Sequence, residues 1–149
     1  MDIRLTTTAR AAAALENAAR RADTNGDRCI TPAEIKNAQK AGKNSAAATA
    51  ALLEYHAMRS ATVWRDPEIP ASEKPKLAAL MSELELGFAV EQGQAQLARI
   101  DTYAGTSTRA ANTADGVVTA SEVRNYDPAT GKYPREAGTL ARYASVFSE

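Results

Sequence analysis

The sequence predicts an all-α protein. Alanine, the residue with the highest helix propensity, accounts for 33 of the 149 residues. Aromatic residues make up only 5% of the chain, which leaves little of the material that favours β-sheet. Capping residues followed by apolar positions at three- and four-residue spacing recur along the chain, a pattern typical of packed helices. We therefore expect one helical domain over residues 1–149.

The first two predicted helices cover residues 9–22 and about 32–41. The threonines at 6–8 offer N-caps for the first, and the turn-forming run at 23–27 ends it. Thr31 begins a capping box for the second helix, because a proline follows it and a glutamate lies three residues later. A glycine then ends this helix.

The third and fourth predicted helices cover about 45–63 and 72–100. Asn44 or Ser45 caps the third helix, and two prolines three residues apart exclude a helix interior between 65 and 70. The fourth is the most periodic segment of the chain, although two glycines weaken it. Its apolar stripe consists of Leu77, Leu80, Met81, Leu84 and Phe88.

The sequence predicts a long loop and two short helices after residue 100. Residues 101–116 are rich in Gly, Thr, Ser, Asn and Asp, which is typical of a loop. A short helix is expected over 120–126, followed by a turn at 127–131 and a last helix over about 135–147. No low-complexity linker divides the chain.

The composition also excludes several classes of function. The 18 basic and 18 acidic residues balance, so no general electrostatic attraction draws the chain to nucleic acid or an anionic membrane. The one cysteine, Cys29, excludes an internal disulfide and a thiolate-rich metal site. The one histidine, His56, excludes a His-rich metal site, and no catalytic triad or phosphate loop is present. We expect a protein that is not an enzyme and has neither nucleic acid nor a membrane as partner.

The N-terminal segment lacks the features of a secretory signal peptide. The alanine tract at 11–14 is short and weakly apolar, and Arg10 and Glu16 flank it. No apolar run approaches the roughly 20 residues that span a bilayer. The sequence therefore predicts a cytoplasmic protein, with an exported form that has lost its signal as the alternative.

Residues 23–34 carry oxygen-bearing side chains at the spacing that a calcium ion requires. Ca²⁺ takes six to eight oxygen ligands at about 2.3–2.6 Å, and alternate residues of a tightly wound loop point inward. The predicted ligands are the side chains of Asp23, Asn25, Asp27, Thr31 and Glu34 and the main-chain carbonyl of Cys29. Magnesium is an alternative ion for such an oxygen site.

This segment resembles the calcium loop of the EF-hand family, in a bacterial-type form. The resemblance implies a helix on either side of the loop and a bidentate Glu34 that closes the coordination sphere. The loop departs from the family at its sixth place, where Arg28 stands instead of a glycine with positive φ. A non-glycine residue there costs on the order of 1 kcal/mol, and the guanidinium adds a positive charge beside the carboxylates.

Because EF-hands usually occur in pairs, the resemblance implies a second loop. The segment 115–122 matches the second half of such a loop, with Gly116 at the sixth place. The apolar pair Leu97 and Ile100 then makes Asp101 the first ligand of a loop lengthened by about ten residues. The predicted ligands are the side chains of Asp101, Thr113, Asp115, Thr119 and Glu122 and the carbonyl of Val117, with Asn112 as an alternative to Thr113. A degenerate loop that pairs without binding an ion is the competing interpretation.

The resemblance implies two EF-hands that pair through Ile30 and Val118, with additional helices between the two loops. It implies a calcium sensor that acts in signalling through a protein partner, or a buffer or calcium-stabilised module. The alternative is a helical protein-interaction or effector protein that uses the EF-hands only as a scaffold. The chain has only three methionines, which disfavours a calmodulin-like peptide binder.

Overall fold

The computed structural model describes residues 3–102 and 115–144. Helices dominate this part of the chain, as the composition predicts. The elements in chain order are β1 (Ile3–Arg4), α1 (Leu5–Ala22), β2 (Cys29–Ile30), α2 (Pro32–Lys40), α3 (Ala46–Arg65), α4 (Lys74–Ala79), β3 (Met81–Ser82), α5 (Glu83–Thr102), β4 (Val117–Val118), α6 (Ala120–Tyr126) and α7 (Arg135–Ala144). None of the helices in these ranges is both long and apolar enough to cross a membrane.

The chain divides into two compact units. One unit comprises Met1–Ala13 together with Ala89–Glu149, and the other comprises Ala14–Phe88. The boundaries fall inside α1 and α5, so each of these helices contributes to both units. The single domain expected over residues 1–149 stays a prediction.

Three predicted helix starts are confirmed by their caps. The hydroxyl of Thr31 accepts the Glu34 backbone N–H at the start of α2, and Ser45 caps α3 in the same way. A complete capping box formed by Thr119 and Glu122 begins α6. Such side chains satisfy backbone N–H groups that have no partner inside the helix, which explains why the sequence locates these starts well.

The long helix expected over 72–100 is wrong, because α4 and α5 are separate helices with β3 between them. The C-terminal carbonyls of α4 are instead satisfied by side chains from α3. Ser60 Oγ donates to the Ala78 carbonyl at 2.7 Å, and the Arg59 guanidinium donates to the carbonyl of Leu77. His56 Nε2 lies 3.1 Å from the Ala79 carbonyl oxygen. These contacts end α4 before Met81, which pairs with the first loop.

The expected pairing of the two loops through Ile30 and Val118 is also wrong. In one unit, β2 pairs antiparallel with β3, so that Ile30 lies opposite Met81. In the other unit, β4 pairs antiparallel with β1, so that Val118 lies opposite Ile3. Each strand pair continues into a hydrogen bond at the start of a long helix, and this bond explains the pairing. The first N–H groups of a helix have no partner within it, and here the Glu83 N–H donates to the Arg28 carbonyl at 3.0 Å and the Leu5 N–H to the Gly116 carbonyl at 2.8 Å.

The chain contains a structural repeat of strand, long helix, loop, strand and short helix. Asp23 lies 20 residues after Ile3, the first residue of β1, and Asp101 lies 20 residues after Met81, the first residue of β3. The loop of the second copy is ten residues longer between its first two aspartates, Asp101 and Asp115, than between Asp23 and Asp27. Each repeat therefore sets an aspartate at the end of a long helix.

The apolar stripe predicted for 72–100 is only partly buried. Met81 is buried, whereas the side chains of Leu84 and Phe88 are 85% and 66% exposed. The prediction of this stripe required one continuous helix. Because β3 interrupts it, the residues of α5 do not continue the face formed by those of α4. The apolar pair Leu97 and Ile100 near the end of α5 is fully buried, which anchors the helix end that carries Asp101.

Candidate metal centre

Three carboxylates of the second loop converge on one point. Asp101 lies near the end of α5, Asp115 precedes β4, and Glu122 lies in the first turn of α6. One carboxylate oxygen from each of these residues lies within 4.8 Å of the others. Opposite ligands of a calcium ion are separated by about twice the 2.3–2.6 Å calcium–oxygen distance. The three oxygens therefore fit within a single coordination sphere of that size.

Asp101 is the unusual member of this cluster, because it is fully buried. Its Oδ2 accepts the Gly116 backbone N–H at 3.0 Å. Its Oδ1 is also buried and has no hydrogen-bond partner among the described residues. An unpaired buried carboxylate oxygen is costly unless a cation or a donor compensates it. Burial, together with the neighbouring Asp115 carboxylate, raises the pKa of Asp101.

Asp115 is exposed, and its pKa is shifted in the opposite direction to that of Asp101. The Val117 backbone N–H donates to its Oδ1 at 2.9 Å, and this hydrogen bond lowers the pKa of Asp115. Thr119 and Glu122 are held by reciprocal hydrogen bonds, in which the Thr119 N–H donates to Glu122 Oε1 at 2.9 Å. Backbone groups of the loop thus orient the two more accessible carboxylates. Thr113, predicted as a ligand, and its alternative Asn112 lie outside the described residues.

Two internal hydrogen bonds of the second loop recur in the first. Asp23 Oδ2 accepts the Arg28 N–H at 2.8 Å, as Asp101 accepts that of Gly116. Asp27 Oδ1 accepts the Cys29 N–H at 2.9 Å, as Asp115 accepts that of Val117. These two bonds place residues 27–29 and 115–117 in the same way relative to the first aspartate of each loop.

The carboxylates of the first loop do not form a comparable cluster among the described residues. Both oxygens of Asp23 are occupied by backbone N–H groups, those of Gly26 and Arg28. Glu34 Oε2 accepts the Thr24 backbone N–H at 3.3 Å, across the loop. Asn25 Oδ1 accepts the Asp27 N–H. The predicted side-chain ligands of the first loop are therefore engaged with one another and with the backbone.

Cys29 was predicted to contribute only its main-chain carbonyl. It lies in β2 opposite Ser82, and its thiol is half-buried. Burial, followed by the nearby acidic side chains, raises the pKa of this thiol. A thiol with a raised pKa is a poor nucleophile and a poor metal ligand, which agrees with a role for the backbone alone.

The sequence does not indicate that Glu83, the first residue of α5, lies beside the first loop. Its carboxyl group lies against Asp23, and burial together with this neighbour raises the pKa of Glu83, while Arg28 opposes the rise. No local pattern could reveal the contact, because the two residues are far apart in the chain. The structural repeat is the only signal, since Glu83 takes the place that Leu5 occupies beside the second loop.

Arg28 has a φ of 63°, as the resemblance predicts for the sixth place of the loop. This left-handed conformation is strained for a residue with a side chain. We expect Arg28→Gly to raise the free energy of unfolding by about 1 kcal/mol and to strengthen calcium binding, because a positive charge leaves the loop. Chemical denaturation and calcium titration measure the two effects.

Arg28→Ala is the matched control, because it removes the charge but keeps the strained backbone. It should strengthen calcium binding without the gain in stability. If Arg28→Gly proved less stable than Arg28→Ala, the strain argument would be wrong.

Comparison with protein-family models, curated proteins and solved structures yields no match for this chain. The function is therefore argued from the geometry of the two loops.

Proposed function

We propose that the protein binds calcium, and that its primary site is formed by Asp101, Asp115 and Glu122. The observation that carries the proposal is Asp101, whose buried Oδ1 is without a partner among the described residues and belongs to a cluster of three carboxylates. Oxygen ligands of this kind suit a hard divalent cation, so magnesium is a competing ion. The resemblance of both loops to EF-hand loops supports calcium.

The sequence favours the first loop as the tighter ion site, whereas we assign the tighter site to the second loop. By sequence, the first loop matches the EF-hand pattern at more positions. In the structure, the second loop has converging carboxylates and Gly116 with a φ of 82°, whereas the first has Arg28 at the equivalent place. Since the carboxylates of the first loop do not converge in this arrangement, that loop must rearrange to hold an ion. We therefore assign it the weaker site.

Calorimetric titration of calcium into the metal-stripped protein tests this assignment. Glu122→Gln should abolish the tighter binding step, because it removes a charged oxygen pair from the primary site. Glu34→Gln, the equivalent change in the first loop, should leave that step intact. The same titration in excess magnesium measures selectivity.

Two results would contradict the proposal. Absence of any calcium binding would remove the function altogether. Loss of the tighter step in Glu34→Gln but not in Glu122→Gln would assign the primary site to the first loop.

The role that calcium binding serves is either sensing or stabilisation. Leu84, Phe88 and Trp64 are large apolar side chains with exposed fractions of 85%, 66% and 52%. The alternative is a protein-interaction role in which the loops serve only as a scaffold, and these side chains are the candidate contacts for a partner. A sensor differs from this alternative in that binding of an apolar dye rises when calcium is added.

A further inference from the structure

The N-terminal residues Ile3–Leu5 form a clasp on the second loop. Ile3 and Arg4 pair with Val118 and Val117, and the Leu5 N–H donates to the Gly116 carbonyl at 2.8 Å. A two-residue strand pair is marginal by itself. The N-terminal clasp therefore stays paired only while the backbone of residues 116–118 is held in position.

The Gly116 residue connects the clasp to the candidate metal centre. Its N–H donates to Asp101 Oδ2 at 3.0 Å, and its carbonyl accepts the Leu5 N–H. Asp101 thus holds one side of Gly116 while the clasp is attached to the other. A change in the position of the Asp101 carboxylate is transmitted to Leu5 through a single residue.

We propose that calcium binding at Asp101, Asp115 and Glu122 fastens the N-terminal clasp, and that removal of the ion releases it. This inference rests on the proposed function. Without the ion, three carboxylates with oxygens within 4.8 Å of one another repel, and Asp115 and Gly116 move away from Asp101. The clasp then loses its partner strand, and the first turn of α1 loses the carbonyl that satisfies its Leu5 N–H.

A second contact limits the motion to the residues before α1. Gln94 Nε2 of α5 donates to the Leu5 carbonyl at 3.0 Å, so the start of α1 keeps one anchor when Gly116 moves away. Release is therefore expected at Ile3 and Arg4 rather than throughout α1.

Amide hydrogen exchange on the full chain, read by mass spectrometry, tests the inference. In the wild-type protein, calcium should slow exchange in a peptide covering residues 3–8 by about tenfold relative to a chelator. Asp101→Asn and Glu122→Gln should both abolish the difference in exchange between calcium and chelator. Asp23→Asn, the matched change in the first loop, should preserve it.

Calcium binding is measured on the same samples by calorimetry, which separates the two claims. Tight binding with no change in exchange of the 3–8 peptide would overturn the clasp and leave the proposed function standing. Protection that survives both second-loop variants, or is lost in Asp23→Asn, would also overturn it. Absence of calcium binding would overturn the proposed function and the clasp together.

Discussion

Asp101→Asn is expected to stabilise the metal-free protein while abolishing the calcium binding that we propose for the second loop. The buried charge of Asp101 lies beside the Asp115 carboxylate, and Oδ1 has no hydrogen-bond partner among the described residues. The asparagine keeps an oxygen that can accept the Gly116 N–H and presents an amide to Asp115 in place of a like charge. We expect a gain of about 1 kcal/mol in the free energy of unfolding in the presence of a chelator.

Calcium should reverse this order of stability. In excess calcium the wild-type protein should be the more stable of the two, because ion binding adds to the stability of the native state. Chemical denaturation of both proteins with chelator and with calcium gives the four values required. Asp23→Asn is the control, since Asp23 already accepts two backbone N–H groups and should gain nothing from the amide. If the metal-free Asp101→Asn protein were less stable than wild type, the buried Asp101 carboxylate would not be the destabilising, uncompensated charge that we propose.

Gly93→Ala should destabilise the protein by about 1–3 kcal/mol. A Cβ atom at Gly93 would lie 2.7 Å from the Glu136 carbonyl oxygen and 3.0 Å from its carbonyl carbon. These are backbone atoms at the start of α7, and the neighbouring Ala137 N–H is tied to Gln96 Oε1 at 3.1 Å. The backbone therefore cannot move aside without breaking the contact between α5 and α7. Thermal or chemical denaturation measures the loss.

Gly138→Ala is the matched control on the facing helix. A Cβ atom there would meet Tyr133 Cβ at 3.6 Å, an ordinary contact. Because alanine is the better helix former, this variant should gain about 0.5–1 kcal/mol. A Gly93→Ala protein as stable as Gly138→Ala would show that α5 and α7 can separate without cost.

Local signals in the sequence predict much of the helical structure. Thr31 and Ser45 locate the starts of α2 and α3, because a cap is a hydrogen bond between residues three apart. The apolar pair Leu97 and Ile100 correctly identifies the buried side of the helix that leads to Asp101. Glu83 escapes such reasoning, because its neighbour Asp23 is distant in the chain.

The sequence by itself determined the helical character and the starts of several helices, since both depend on spacing within a short segment. Only the tertiary structure decided which strands pair and which loop brings its carboxylates together. The pairing of Ile30 with Met81 and of Val118 with Ile3 depends on unsatisfied N–H groups at the starts of α5 and α1. The sequence assigns Asp101, Asp115 and Glu122 to one loop, but spacing alone does not show that their carboxylates cluster while those of the first loop do not.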